Sequence, residues 1–121
     1  MSSDQNAIIK PHWIELRHIV AREELVDLSG YANKTERFVD MAEAIKRVVE
    51  RGDELKPFER DLFFGAYKKT LLAKRYSWQV LTEIIRQLEG CDKKAIAAIE
   101  YREQVEGEIR KYSKEVIINL I

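Results

Sequence analysis

Residues 57–90 read PFERDLFFGAYKKTLLAKRYSWQVLTEIIRQLEG. Pro57 suits the first position of a helix, because it lacks an N–H there and its φ is already helical. Glu59 and Asp61 then sit near the positive end of the helix dipole. Only Gly65 interrupts the run before Gly90 stops it. Phe58 to Glu89 is about 32 residues, or roughly 48 Å at ~1.5 Å per residue. A helix of that length points to an all-α fold.

Downstream, Asp92 can cap a further helix, which is expected to run to the last residue despite Gly107. Ala98, Tyr101, Val105, Ile109, Tyr112, Val116 and Leu120 step by threes and fours along it. Two helices this long cannot both hide in a small globule. They are expected to pair antiparallel and to leave apolar surface for another chain or another part of a longer one. The closing run, Val116-Ile117-Ile118-Asn119-Leu120-Ile121, has no Gly and no basic last turn. It reads as a helix that is either cut short or covered by a partner.

Upstream, a first helix is expected over 11–33, opened by Pro11, with Trp13, Leu16, Val20 and Leu28 at roughly helical spacing. Ser29-Gly30 predicts a break or a close helix contact, since Gly inside a helix costs ~1 kcal/mol relative to Ala. Thr35 reads as the N-cap of a second helix, with Glu36 in its first turn. Phe38, Met41, Ala42, Ile45, Val48 and Val49 give that helix an apolar stripe, and Gly52 ends it after Arg51.

The whole chain has 121 residues, which is one domain on size alone. It is 45% hydrophobic and 35% charged, enough apolar material for a core. Lys plus Arg number 21 and Asp plus Glu number 21, so bulk charge gives no reason to expect nucleic-acid binding. A single cysteine, Cys91, excludes an internal disulfide and any multi-cysteine zinc site. It fits a reducing compartment, and a cytoplasmic location is the expectation. The opening residues do not read as a signal peptide. No run approaches the ~18 apolar residues that span a bilayer, so membrane insertion is not expected.

Little supports catalysis. His12 and His18 lie six residues apart, on different faces of a helix, unlike an i, i+4 metal pair. The glycines are scattered singly and form no phosphate loop. No cofactor or metal is called for, and the chain is not expected to be an enzyme. The stronger candidate is cationic. Lys68 and Arg75 are seven residues apart, so they point the same way, ~10 Å apart along one helix. Their long side chains can converge on one phosphate. Lys74 lies beside Arg75, whereas Lys69 is turned by ~100° toward another face. An ordinary solvated face is the alternative on charge patterning alone.

Several spaced stretches carry a family resemblance. Tyr67-Lys68-Lys69 and Ala73-Lys74-Arg75-Tyr76-Ser77-Trp78 resemble the third helix of 14-3-3 proteins, where Ala-Tyr-Lys precedes Ala-Arg-Arg-x-Ser-Trp-Arg. Glu36-Arg37-Phe38-Val39-Asp40-Met41 resembles their Glu-Arg-Tyr-Asp-Asp-Met. Glu100-Tyr101-Arg102-Glu103, with Glu106 and Glu108, resembles their Glu-Tyr-Arg-x-Lys-Ile-Glu-x-Glu-Leu. The likeness runs from about Glu24 to Ile121. It implies a 14-3-3-like N-terminal dimerisation half over 21–121, with a divergent extension over 1–20.

The resemblance also implies a role. Members are helical dimers that bind phosphoserine or phosphothreonine motifs in client proteins, as adaptors. Lys68 and Arg75 fall on two of the groups that grip the client phosphate. Arg37 with Glu108, and Glu24 with Lys93, fall on inter-subunit salt bridges. Asp40 keeps its acidic identity, but Gln104 replaces its usual lysine partner. Leu81, Ile84 and Tyr101 are candidates for the apolar dimer surface, with intrachain core as their alternative. Ser77 falls at the dimer seam in a basic context, a candidate regulatory phosphorylation site or simply a small packing residue. Phe64-Gly65 stands where Ser-Val is usual, and Tyr31 where leucine is common. The fifth helix, which supplies an Arg-Tyr pair to the phosphate, has no counterpart here, so an incomplete pocket is expected. In residues 1–20, Trp13, Ile14, Leu16, Ile19 and Val20 are expected to cover apolar surface left bare by that missing half. Two functions follow from the resemblance: a phosphopeptide-binding adaptor acting on phosphorylated clients, or a module that pairs with itself or with a full-length relative without binding phosphopeptides.

Overall fold

The computed structural model describes residues 21–88 and 90–120. Four helices follow one another: α1 Arg22–Lys34, α2 Phe38–Glu50, α3 Pro57–Gln87 and α4 Asp92–Leu120. The described residues contain no strand. The all-α expectation therefore holds, with two long helices at the expected places. The readings placed on residues 1–20, including Pro11, His12 and His18, lie outside the described residues. At Ala21 the backbone is extended, with φ −62° and ψ 148°, so α1 begins at Arg22 and the helix expected over 11–33 is not continuous. The chain divides into two compact units, the first ending at Tyr67 and the second starting at Lys68.

In the first unit α1 packs on α2. Leu25, Val26 and Ala32 are buried from α1, and Met41, Ala42, Ala44, Ile45 and Val48 from α2. Full burial of each larger aliphatic side chain stabilises by about 1.5–3 kcal/mol. Phe63, Ala66 and Tyr67 are also buried, with the Phe63 and Tyr67 rings 4.9 Å apart. Of the stripe expected on α2, Met41, Ala42, Ile45 and Val48 are buried, whereas Phe38 and Val49 are half-buried. The helix contact expected near Ser29-Gly30 is made by Ser29. It is fully buried, and its Oγ donates to the Met41 carbonyl at 3.2 Å. That bond satisfies a hydroxyl which would otherwise carry a desolvation cost of ~1–3 kcal/mol. The helix continues through Gly30 without a break.

Thr35 ends α1 instead of opening α2. Its Oγ1 donates to the carbonyls of Tyr31 and Ala32, at 3.0 and 3.2 Å. The Glu36 amide bonds the Asn33 carbonyl at 3.1 Å and the Arg37 amide bonds the Ala32 carbonyl at 2.8 Å. These two crossed bonds form a Schellman closure, which requires a left-handed residue between them. Glu36 takes that conformation, with φ 59°. The N-cap of α2 is then Arg37, without a side-chain cap. The sequence favoured Thr35 as an N-cap because its hydroxyl can serve either helix end; here it is spent on carbonyls of α1.

The start of α3 is fixed twice over. The Glu59 carboxylate reaches back to the Lys56 amide at 2.8 Å, as in a capping box. The same carboxylate takes a two-pronged bond from Arg22, at 2.5 and 2.6 Å. Its side chain is 2% exposed and that of Arg22 17%. Arg22 also donates to the Glu54 carbonyl at 3.2 Å. The Arg22 hydrogen bond, opposed by burial and aided by the Lys56 amide, holds the Glu59 carboxyl below its ordinary range.

In the second unit the expected antiparallel pairing is present, carried by polar rungs. Lys74 Nζ lies 2.9 Å from Glu108. Trp78 Nε1 donates to Glu106 at 2.9 Å. Arg102 donates to Thr82 Oγ1 at 3.1 Å. Numbers rise on α3 as they fall on α4, so the helices run in opposite directions. Among the described residues, Leu81 and Val105 are the buried apolar side chains of this unit. Of the expected α4 stripe, Ala98, Ile109, Tyr112 and Val116 are only partly covered, and Tyr101 stays 62% exposed. Asp92 is the first residue of α4, an acid in its first turn, and the preceding Cys91 takes the cap position expected of it.

Candidate functional site

Lys68 and Arg75 both lie on exposed parts of α3 in the second unit. Among the described residues neither has an ion-pair or hydrogen-bond partner. Their neighbour Lys74 behaves differently. It is half-buried, paired with Glu108, and 5.3 Å from the Tyr112 ring. The sequence grouped Lys74 with Arg75; the α4 carboxylate separates them. One cation becomes part of the helix pairing and the other stays available. An unpaired guanidinium is the better phosphate ligand, because its fork of donors is not already spent on a carboxylate.

Arg75 also borders a cavity of about 470 Å³, lined by Trp78, Gln79, Glu106, Ile109 and Arg110 as well. The indole N–H of Trp78 fixes the Glu106 carboxylate at its edge. The guanidinium of Arg102 lies 5.5 Å from the centroid of the Trp78 ring. Arg110 was not singled out from the sequence. The signal available was its spacing to Lys114, one turn on, which places two cations along one helix face. Among the described residues no group of three His, Cys, Asp or Glu side chains could hold a metal. Cys91 is free and exposed. No described helix is long and apolar enough to cross a membrane.

The residues expected at a dimer surface fall into three sets. Arg37, the N-cap of α2, pairs with Asp40 in its first turn at 2.6 Å, and Glu108 pairs with Lys74. Glu24 and Lys93 are exposed in the first turns of α1 and α4. Of the apolar candidates, Leu81 is buried within its own unit, whereas Ile84 and Tyr101 are 39% and 62% exposed. Ser77 is exposed, and its Oγ donates to the Ala73 carbonyl at 3.2 Å. Tyr31 and Phe64, two of the departures from the family pattern, are exposed as well.

The paired helices α3 and α4 leave Lys68 and Arg75 exposed on α3. The sequence profile of the 14-3-3 protein family matches residues 28–121. The chain is 44% identical over 96 residues to 14-3-3-like protein 2 of Caenorhabditis elegans, covering 79% of this chain and 39% of that protein. It is 42% identical over 96 residues to 14-3-3 protein zeta of Xenopus laevis, with the same coverage. Against 14-3-3 protein beta/alpha-1 of Oncorhynchus mykiss the identity is again 42% over 96 residues, covering 79% of this chain and 39% of the relative. The chain belongs to the 14-3-3 family. It spans about two fifths of the length of these curated relatives.

Proposed function

We propose that this chain supplies the cationic face of a phosphoserine- or phosphothreonine-binding adaptor that acts on phosphorylated client proteins, without catalysis. The observation that carries this reading is the state of Lys68 and Arg75: exposed, two turns apart on α3, and without a partner among the described residues. A charge-assisted hydrogen bond from either contributes ~1.5–3 kcal/mol net. Two such ligands by themselves support weak binding, and on this reading these residues form an incomplete phosphate pocket.

The test is the binding of a fluorescent phosphoserine peptide and its unphosphorylated twin. The wild type is expected to prefer the phosphopeptide. Lys68→Glu reverses a charge on an exposed face, so helix content should hold while the preference falls at least tenfold, the equivalent of ~1.4 kcal/mol. Undiminished preference in Lys68→Glu sinks the site assignment.

A second reading is favoured by the exposure of Ile84 and Tyr101, with Ile96 and Ile117 also uncovered on α4. On it the chain is a dimerisation module that pairs with itself or with a longer relative. Arg37 of one copy would then exchange Asp40 for Glu108 of the other, and Glu24 would meet Lys93. Exposed bridges of this kind are worth only ~0–1 kcal/mol each, so the apolar contact would dominate. A dimer by light scattering that ignores phosphate supports this reading over the first. A cytoplasmic setting suits both.

A further inference from the structure

We infer that the exposed face of α4 centred on Gly107 is a self-association surface, on which α4 of a second copy of this chain lies antiparallel. The inference goes beyond both readings above. It needs no phosphate, and it uses none of the residues that the family resemblance assigns to a dimer seam.

The observation that carries it is the order of side chains about Gly107. Glu103 and Lys111 stand four residues to either side, Glu100 and Lys114 seven, and Ile96 and Ile118 eleven. Steps of four, seven and eleven return to one face of an α-helix. All six side chains are exposed, Ile96 at 55% and Ile118 at 67%. Each pair is complementary, acid with base or apolar with apolar. A two-fold axis beside Gly107 reverses α4 and sets each of these residues opposite its counterpart in the second copy. Glu103 then meets Lys111 of the second copy, and Glu100 meets Lys114 of the second copy. The isoleucines close both ends.

Within one chain the pattern has no use. Acids and bases stabilise a single helix when three or four residues apart. On this face the nearest two, Glu103 and Arg110, are seven apart. The helix dipole favours acids early and bases late, but its effect falls off within the first and last turn. Glu100 lies eight residues past Asp92, where α4 starts, and Lys114 six before Leu120, where it ends. The side chains of Glu100, Glu103, Arg110 and Lys114 have no ion-pair or hydrogen-bond partner among the described residues. Two carboxylates on other faces of α4 are already engaged, Glu106 by Trp78 and Glu108 by Lys74.

The surface also has the shape for a second helix. Gly107, Arg110, Lys111, Lys114 and Glu115 line a cavity of about 490 Å³, three cations against one carboxylate. That positive hollow receives the Glu100 and Glu103 side chains of the second copy. A Cβ on Gly107 would meet one Arg110 guanidinium nitrogen, at 3.8 Å, and no neighbouring helix. Packing inside the chain therefore does not call for glycine there, although Gly is disfavoured in a helix relative to Ala. A second backbone crossing at Gly107 does call for it, because it uses the space a side chain would fill.

The experiment is sedimentation of the full chain over a range of concentrations, with helix content checked by circular dichroism. The wild type is expected to self-associate, and less so as salt rises. Glu100→Lys with Glu103→Lys sets cations opposite cations. Lys111→Glu with Lys114→Glu sets carboxylates opposite carboxylates. Each double variant is expected to weaken association at least tenfold with helix content unchanged, since all four positions are exposed. All four changes in one chain restore the complementarity at the net charge of the wild type, and association is expected to return. If either double variant associates like the wild type, the inference falls and any self-association lies on another face. If the fourfold variant stays as weak as the double ones, the loss did not come from these pairings and the inference falls. If the wild type does not self-associate, a second copy is not what covers this face and the inference falls. The phosphopeptide preference is read in its own assay, so neither result decides the other.

Discussion

The Glu59 carboxylate is nearly sealed from water and still accepts the Lys56 amide and two nitrogens of Arg22. Its depressed pKa has a definite sign for stability. The folded state favours the ionised form more than the unfolded state does, so the clamp stabilises fully above the unfolded pKa. That contribution is lost as pH falls through the lower folded-state value. Glu59→Gln keeps the shape and an oxygen for the Lys56 amide but removes the charge. It should lower the thermal midpoint at neutral pH, because it leaves Arg22 without its counter-charge. It should also flatten the dependence of the midpoint on pH in the carboxylate range. An equal acid sensitivity in the variant would show that other carboxylates carry it. The sequence showed Glu59 as an acid at a helix start, which it is. It gave no sign of Arg22, because that pairing spans 37 positions and has no local pattern.

At the scale of elements, the turn between α1 and α2 stores the clearest strain. Glu36 sits at φ 59°, a conformation that glycine adopts without penalty. Glu36→Gly should therefore raise stability by about 0.5–1 kcal/mol, the relief of strain offset in part by greater unfolded-state freedom. Chemical denaturation with an unchanged m-value would read this directly. A destabilised variant would mean that the Glu36 side chain makes a contact worth more than the strain. The long helices were legible because Pro57, Gly90 and the spacing of apolar residues are local signals. Helix ends were less so. Thr35 and Asp92 are both good caps by residue type, yet Thr35 closes α1 and Asp92 falls one residue inside α4. Capping preference ranks residues without saying which neighbour the packed backbone will offer.

At the scale of the molecule, the question is what covers the apolar side chains of the second unit. Leu81 and Val105 are buried within it, but Ile84, Ile96 and Tyr101 are not. Ser77 sits on α3 among exposed neighbours, including Tyr76 at 68% exposure. If a second copy covers this region, Ser77→Asp introduces a charge into an apolar contact and should shift the mass by light scattering from dimer toward monomer. Ser77→Ala should not. An unchanged mass in Ser77→Asp would remove Ser77 from the seam. The placement of Lys68 and Arg75 two turns apart on one helix was legible from a seven-residue spacing. What distinguishes Arg75 from Lys74 was not, since it depends on Glu108 arriving from another helix.

The three rungs between α3 and α4 are chemically unlike: cation with carboxylate, indole with carboxylate, hydroxyl with guanidinium. Sliding α4 by three residues one way sets Lys74 opposite Lys111, Trp78 opposite Ile109 and Thr82 opposite Val105. Sliding it the other way sets Lys74 opposite Val105 and Thr82 opposite Ile99. Either move strands a polar group or faces like charges. A dry seam of interchangeable leucines would tolerate such a slip. Here the alignment is spelled out like a key whose cuts differ in depth, and a mismatched turn simply does not seat.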